Sequence, residues 1–409
     1  MKLDAVIQDR QALLSMERYV GLGTKTYSPL AARTEAGPAY QPESGVASFD
    51  LVTVTVPRER VSVFQAAPAG HLAEYYLRPD GIRFAIHPAT WVMEGVKEGI
   101  AHLEDLRALP RGAAIRVAPT ASTRTVLTVG PEMAPHFLKL HYPVRISRFN
   151  RGLLRRNVQN SVAITAEMAQ ARSERFAYLP ETLGFAFGTD EKAWGFLVRE
   201  VIARPPIAGR FLIPCFALYG RDIRAPDDPP LLVQMIARLR VDPAAFVVNE
   251  IIVPVIAFWC WGARRGLLLE SHAQNTLIEI DRDFRPRRIV FRDFDIWIDT
   301  ETRRRCDLGL PFPGAGLVPD AGQSMEQYYS IVYDRFIGHN FFDYLLDLLR
   351  RFYDVEEEVV RQRARAAFHQ FFPEAQHFFP KDTVFYFSKD APPGHEFMIE
   401  DLRQPPEWR

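Results

Sequence analysis

Apolar and polar positions alternate early in the chain. Phe49-Asp50-Leu51-Val52-Thr53-Val54-Thr55-Val56 and Arg60-Val61-Ser62-Val63-Phe64 alternate with β-branched residues on either side of a turn at Pro57, which predicts two paired strands. Over residues 92–106 the apolar period lengthens to helical spacing and stops before Pro110, which predicts a helix there. Strands are expected again at 114–117, 125–129, 137–140 and 144–146, with the small-residue loop 118–124 between the first two. Residues 153–172 predict a helix with arginine and asparagine near its start.

Pro205, Pro206 and Gly209 interrupt the pattern at 202–212, and residues 226–230 mark a second loop. Beyond them, 231–239 and 249–262 predict buried helices, and 267–280 and 288–297 predict a hairpin turning at Asp281-Arg282-Asp283-Phe284-Arg285-Pro286. Residues 325–372 predict consecutive amphipathic helices, with Tyr328, Ile331, Val332 and Phe336 on one stripe. The first 42 residues, with Gly21, Gly23, Pro29, Gly37 and Pro38, predict a short helix and irregular loop too small for a core of their own. The class is α+β: mixed and antiparallel sheets flanked by helices, a helical C-terminal part, and one lobe on each side of residue 212.

Composition narrows function only by exclusion. With 409 residues, 47% hydrophobic and 24% charged, the chain is an ordinary globular one, and fifty basic against fifty acidic residues leave no whole-chain field for nucleic acid or anionic lipid. Cys215, Cys260 and Cys306 are too scattered for a disulfide framework or a thiolate metal site, which suits a reducing cytoplasm. The apolar run 251–262 is too short to cross a bilayer and contains Pro254, so neither membrane span nor secretion is expected.

Two sets of residues change this picture. Ser122, Arg124, Lys139, Ser147 and Arg151 fall on strand ends and their loops, where guanidinium forks, an ammonium and hydroxyls suit polyphosphate oxygens. Any one of them would be unremarked as a solvated charge; the set carries the argument. Glu270, His272, Gln274, Asn275 and Asp293 form the second set, with strand alternation placing Glu270, His272 and Gln274 on one face. Carboxylates and an amide oxygen are hard ligands suited to magnesium. Other charged runs, Arg155, Arg156, Asn157 and Asn160 beside Arg151, and Arg303-Arg304-Arg305, are expected to be solvated faces, and Phe258, Trp259, Trp261, Phe341 and Phe342 to be core.

In order and separation these sets resemble the NRPS-independent siderophore synthetases of the aerobactin-synthetase type, from about Lys25 to the final helices. Their Glu-x-His-x-Gln-Asn and Arg-Asp elements are met by Glu270, His272, Gln274, Asn275, Arg292 and Asp293, and their Ser-x-Arg loop and Lys strand by Ser122, Arg124, Lys139, Ser147 and Arg151. Ile86-His87-Pro88 resembles a further His-Pro element, with Ala89 where an aromatic is usual. The resemblance implies a three-lobed cupped hand with ATP between the second and third lobes. Here it would be reduced to a remnant over 1–32, a phosphate-gripping lobe over 33–212 and a palm-like lobe over 213–409. It further implies Ser122, Arg124, Lys139, Ser147 and Arg151 on the phosphates, His272 near the α-phosphate with Gln274 and Asn275 beside the nucleotide, and Glu270, Asn275 and Asp293 around Mg2+. His272, Arg124 and Lys139 would be the catalytic residues. The implied reaction adenylates a carboxylic acid and passes it to an amine or alcohol in siderophore or related specialised metabolism; a homodimer is common among relatives.

The chain departs from that family at its start. Gly21-Leu22-Gly23-Thr24-Lys25 stands at the end of the usual His-Pro-x-His-Pro-x-x-Lys segment, with the lysine but neither His-Pro pair. Citrate as the acid is therefore not implied, and a nucleotide-binding, non-catalytic subunit completed by a partner is the alternative. A third reading, phosphoryl transfer, rests on His272-x-x-Asn275 and Asp293 echoing a kinase catalytic loop, without a glycine-rich phosphate loop.

Overall fold

The computed structural model describes residues 1–21, 34–43, 45–66, 70–94, 100–146, 149–171, 173–310, 323–392, 395 and 397–409. Its strands in chain order are β1 (Phe49–Val56), β2 (Val61–Gln65), β3 (Leu77–Arg78), β4 (Gly81–Ile86), β5 (Ile115–Pro119), β6 (Thr125–Thr128), β7 (His136–Leu140), β8 (Tyr142–Ile146) and β9 (Phe149–Arg151). Then come β10 (Phe176–Tyr178), β11 (Glu181–Phe187), β12 (Trp194–Glu200), β13 (Phe211–Pro214), β14 (Leu267–Leu268), β15 (Thr276–Ile280), β16 (Pro286–Phe291), β17 (Trp297–Ile298), β18 (Phe385–Phe387) and β19 (Ile399–Asp401).

Nine strands form one sheet in the order β2-β11-β12-β7-β6-β5-β1-β4-β3. The predicted pairing of β1 with β2 is overturned: β1 lies between β4 and β5, while β2 pairs with β11 at the sheet's edge. Only residues 57–60 join β1 to β2, a reach of at most about 18 Å between Val56 and Val61. Six strand spacings in a flat sheet would need about 29 Å, so the sheet has to curl. Its concave face holds a core that includes Phe84, Phe185, Phe187, Trp194 and Phe196. Against β11 packs the predicted helix, Arg155–Met168, so closely that a Cβ on Gly184 would stand 2.5 Å from Val158 Cγ1. The helix expected over 92–106 is a single turn, Leu103–Arg107, behind the left-handed His102 (φ +65°), with residues 95–99 outside the described part. Ile100, Leu103 and Leu106 pack on the large-sheet core.

The second layer is a four-stranded sheet, β10-β16-β15-β13, in which β10 and β16 are parallel and the rest antiparallel, so the sheets are mixed as expected. The β15–β16 hairpin turns where the sequence placed it. Helices cover this sheet: Leu231–Leu239, the buried segment Pro243–Ala263, and Met325–Ser330, Asp343–Tyr353 and Glu357–Phe371 with a π-helical stretch Ile331–Phe342. Pro243–Ala263 is long and apolar enough to cross a membrane, but Trp259, Phe258 and Ile256 along it are core residues here. Two N-terminal helices, α1 (Ala5–Gln8) and α2 (Ala12–Tyr19), join this second core through Leu3, Val6 and Met16. They are too small to fold alone and instead share a core with β13 and the helices.

Candidate functional site

One wall of the site is built by the large sheet. Between β5 and β6 the chain turns sharply: Thr123 N–H donates to Thr120 O (3.0 Å), and Thr123 itself is left-handed at φ +62°, which few β-branched residues adopt. That turn aims the buried Arg124 inward, where its Nη1 donates to Gly152 O (3.0 Å) and Arg151 O (3.4 Å) at the end of β9. Lys139 lies within β7, not at a strand end as the sequence suggested, with Thr125 of β6 and Leu197 of β12 as its neighbours. It has no solvent exposure. A buried ammonium demands anions; Lys139 Nζ has Asp293 Oδ1 at 2.6 Å and Asp295 Oδ2 at 3.4 Å.

Those anions belong to the other wall, which is made of turns. Glu270, His272 and Gln274 do not alternate along one strand: β14 ends at Leu268, β15 starts at Thr276, and the residues between them are bent. Local hydrogen bonds displace the ladder, from Ser271 N–H to Leu269 O (2.7 Å), His272 N–H to Glu270 O (2.8 Å), and both Asn275 and Thr276 N–H to His272 O (3.0 Å). Arg292 fastens the bend, donating from Nε (3.0 Å) and Nη2 (2.7 Å) to Gln274 O and from its backbone to Asn275 O (3.0 Å). Immediately afterwards Asp293 is left-handed at φ +76°. Phe294 N–H then donates to Glu181 Oε2 (3.3 Å), and Glu181 is paired with Arg199 at 2.5 Å. Arg199 in turn lies 3.7 Å from Asp293, while Asn157 donates to Asp295 at 2.9 Å and Arg124 stands 3.9 Å from it.

Charge separates the protonation states of this cluster. Burial alone would raise the Asp293 carboxyl, but Lys139, Arg199 and Arg124 outweigh it and hold Asp293 ionised well below the usual carboxylate range. Glu270 goes the other way, to about 8, because it is enclosed by protein and faces Asp293 and Asp295, with Arg151 and Lys139 only partly compensating. Burial lowers His272 to about 3, against the opposing pull of Asp293, so the ring is neutral at pH 7. Its face is closed by Phe336, 6.0 Å between ring centres.

The structure thus pairs Lys139 with Asp293, places Arg124 3.9 Å from Asp295, and sets Arg151, Glu270 and His272 within electrostatic reach of this cluster. Gln274 and Asn275 join through their backbone carbonyls on Arg292, and the Ser122 hydroxyl bonds Thr125 (3.2 Å) beside Arg124. Ser147 and Lys25 lie outside the described residues. His87 caps the helix Pro88–Trp91 and stacks on Tyr142 at 4.0 Å. Sequence reading missed Asp295, Arg199 and Glu181, although charged residues inside apolar strands such as Glu181-Thr-Leu-Gly-Phe were a signal. Two expectations of solvated faces are corrected: Asn157 reaches Asp295, and Arg303 is buried on Glu167 at 2.8 Å, because each has a carboxylate partner that only the fold supplies.

Comparison with known proteins adds to this geometry. A model of the IucA / IucC family matches residues 31–220. Over those residues, a little under half of its length, the chain is similar to that family. A second model, the ferric iron reductase FhuF-like transporter, matches residues 248–385, the part that carries the bent turn. Among solved structures, ATP-bound aerobactin synthetase IucA from a hypervirulent pathotype of Klebsiella pneumoniae aligns with a TM-score of 0.66 at 15% identity, covering 94% of this chain and 76% of that one. Aerobactin synthetase IucC from the same pathotype gives 0.61 at 17%, covering 85% and 67%. Petrobactin biosynthesis protein AsbB from Bacillus anthracis str. Sterne gives 0.59 at 14%, covering 87% and 68%. At these identities the shared property is the fold, the α+β architecture described above. No curated protein matches.

Proposed function

We propose that this chain is an ATP- and Mg2+-dependent ligase that activates a carboxylic acid as its adenylate and condenses it with an amine or alcohol. One observation carries the reading: the buried Lys139 from the large sheet meets the partly exposed Asp293 and Asp295 of the bent wall in a cluster that also draws in Arg124 and Arg199. That much opposed charge is costly to bury and fits a site whose natural occupant carries both signs, as a magnesium nucleotide does. The family match and the fold shared with siderophore synthetases, one of them ATP-bound, support it.

The donor set suits the metal. Glu270 is pushed up by Asp293 and Asp295, a repulsion that a divalent cation would relieve, and Glu270, Asp293 and the Asn275 amide are oxygen donors. Among the described residues the only compact set of His, Cys, Asp or Glu donors is His339, Asp343 and Glu407, where Arg361 already neutralises the carboxylates at 3.5 and 3.0 Å. An open set such as Glu270, Asn275 and Asp293 fits Mg2+, which keeps waters and takes phosphate oxygens. When bound, the ion supplies charge neutralisation on the phosphates.

In the proposed reaction an oxygen of the substrate carboxylate attacks the α-phosphorus and the bond to pyrophosphate breaks. The amine or hydroxyl then attacks the acyl carbon, loses its proton, and AMP leaves. Arg124, Lys139 and Arg151 would hold the phosphates, with more effect as charge builds on the equatorial oxygens and pyrophosphate than in the ground state. Neutral His272 would donate or accept a hydrogen bond at the α-phosphate without adding charge. Release of AMP and pyrophosphate that requires ATP, Mg2+ and one acid of a panel tests this; ADP formation, or no product across the panel, counts against it.

The alternative of a nucleotide-binding subunit completed by a partner is favoured by one comparison: the solved relatives extend beyond the 67–76% of their length that this chain covers. ATP binding without turnover, with turnover restored by a partner protein, would identify it.

A further inference from the structure

The N-terminal helix pair looks dispensable for chemistry, yet α2 buries two adjacent charged residues, Glu17 and Arg18, each about as exposed as a core leucine (1% and 3%). Arg18 donates to three carbonyls, those of Pro42, Val46 and Ala47, and so ties down the segment that leads into β1. Glu17 points the other way. Its Oε2 accepts from Ala121 N–H at 3.3 Å, at the entrance of the turn that carries Ser122 and Arg124. Its Oε1 lies 2.6 Å from Arg292 Nη1, and Arg292 is the residue that grips Gln274 O and precedes Asp293.

We infer that Glu17 is the positioning residue that holds the two walls of the site in register, one carboxylate joining the Arg124 turn to the Arg292–Asp293 turn. Both turns need such a tie. Each contains a non-glycine residue in the left-handed region, Thr123 and Asp293, a conformation that persists only when its surroundings over-determine it. Each turn begins where a strand ladder ends, the last bonds being Leu140 N–H to Arg124 O and Arg292 N–H to Asn275 O (3.0 Å each), so residues 120–123 and 293–295 lie beyond the ladders. The two oxygens of a carboxylate can accept in two directions at fixed separation, which a single amide or hydroxyl could not do with equal charge. A site made from two sheets needs its spacing set to well under 1 Å if phosphate contacts on both sides are to be made together. The α2 helix is anchored independently, with Met16 in the second core and Gly21 N–H on Arg221 O (3.0 Å), so it can act as a fixed post for both turns.

This inference rests on the ligase reading only for the second of its two readouts, ATP binding. Hydrogen exchange of nucleotide-free protein reads the tie directly, in wild type, Glu17→Asp and Glu17→Gln. Glu17→Asp keeps the charge but, one methylene shorter, cannot span both partners. The expected result is exchange at least tenfold faster in residues 118–125 and in 270–276 and 292–296 together, with the β-strand and helix cores unchanged. Exchange that rises only within α2, or across the whole second core, would overturn it. So would failure of both variants to fold, which would make Glu17 a general core residue. A second readout is the dissociation constant of ATP with Mg2+. In folded Glu17→Asp it should weaken about tenfold, whereas a change under twofold would overturn the inference. Wild type that binds ATP but makes no AMP removes the ligase reading and leaves this inference standing.

Discussion

The two walls of the site are made of opposite material. On the large-sheet side, Lys139 sits in the middle of β7 between two hydrogen-bonded strands, and Arg124 enters β6 directly; the cations ride on a rigid ladder. On the other side, Glu270, His272, Asn275, Asp293 and Asp295 hang on bends between short strands, held by Arg292, Glu181 and Asn157. Long cationic side chains can reach from a regular strand, whereas short carboxylates must be carried to the ligand by the backbone itself. The strands of the regular wall could therefore be located from alternation, whereas the backbone bends of the other wall could not.

The largest expected effect comes from the rigid wall. Arg124→Ala should lower adenylate formation roughly 10³-fold, measured as pyrophosphate release, because it removes a preorganised charge where the phosphates would develop theirs. Activity within tenfold of wild type would mean that the bent wall does the chemistry alone. Next in size, Glu181→Ala takes a carboxylate away from the fully buried Arg199 and frees Phe294 N–H, so unfolding by denaturant should show a loss of about 3–5 kcal/mol. A loss under 1 kcal/mol would show that Asp293 and Asp295 are held by something else.

Acid should test the rigid wall separately. His136, buried between Tyr76 and Thr128, has its ring lowered to about 4, chiefly by burial. The folded protein therefore binds fewer protons than the unfolded chain between pH 6.5 and 4, and stability should fall as pH drops through that window, by up to about 3 kcal/mol from this residue. Denaturation curves at pH 7 and 4.5 on wild type and His136→Gln check it: the variant should lose that part of the slope. Smaller still, Thr123→Gly should relieve the left-handed strain and raise stability by up to about 1 kcal/mol while weakening ATP binding, since the aim of Arg124 loosens. A variant that gains neither stability nor loses affinity would deny the turn its role. Arg304→Ala, an exposed neighbour of the buried Arg303, should stay within about 0.5 kcal/mol of wild type.

What could be read from sequence follows the same division. Alternation located β1, β5, β6 and β7, and helical spacing located Arg155–Met168 and Leu231–Leu239, because each is a regular element with one buried face. The order of the curled sheet was not legible: β2 finds β11, more than a hundred residues away, and no local period encodes that partner. Arg124, Lys139, His272 and Asp293 were legible as a set of chemical types. The bend that carries Glu270 to Asn275 was not, since Leu267-Leu268-Leu269 and Thr276-Leu277-Ile278 invite one continuous strand, while the local turn bonds that replace the ladder are fastened by Arg292, itself paired with the distant Glu17. Asp295, Arg199 and Glu181 escaped for a related reason: a charged residue in an apolar run declares that it has a partner but not which one.

Calorimetric titration of ATP with Mg2+ into wild type, Arg124→Ala and Asp293→Asn tests most directly whether the two walls share one ligand. The account predicts a single site in wild type, weakened at least a hundredfold by either substitution, one on each wall, in protein that remains folded. Binding that survives the loss of one wall's charge unchanged while the other abolishes it would contradict the account.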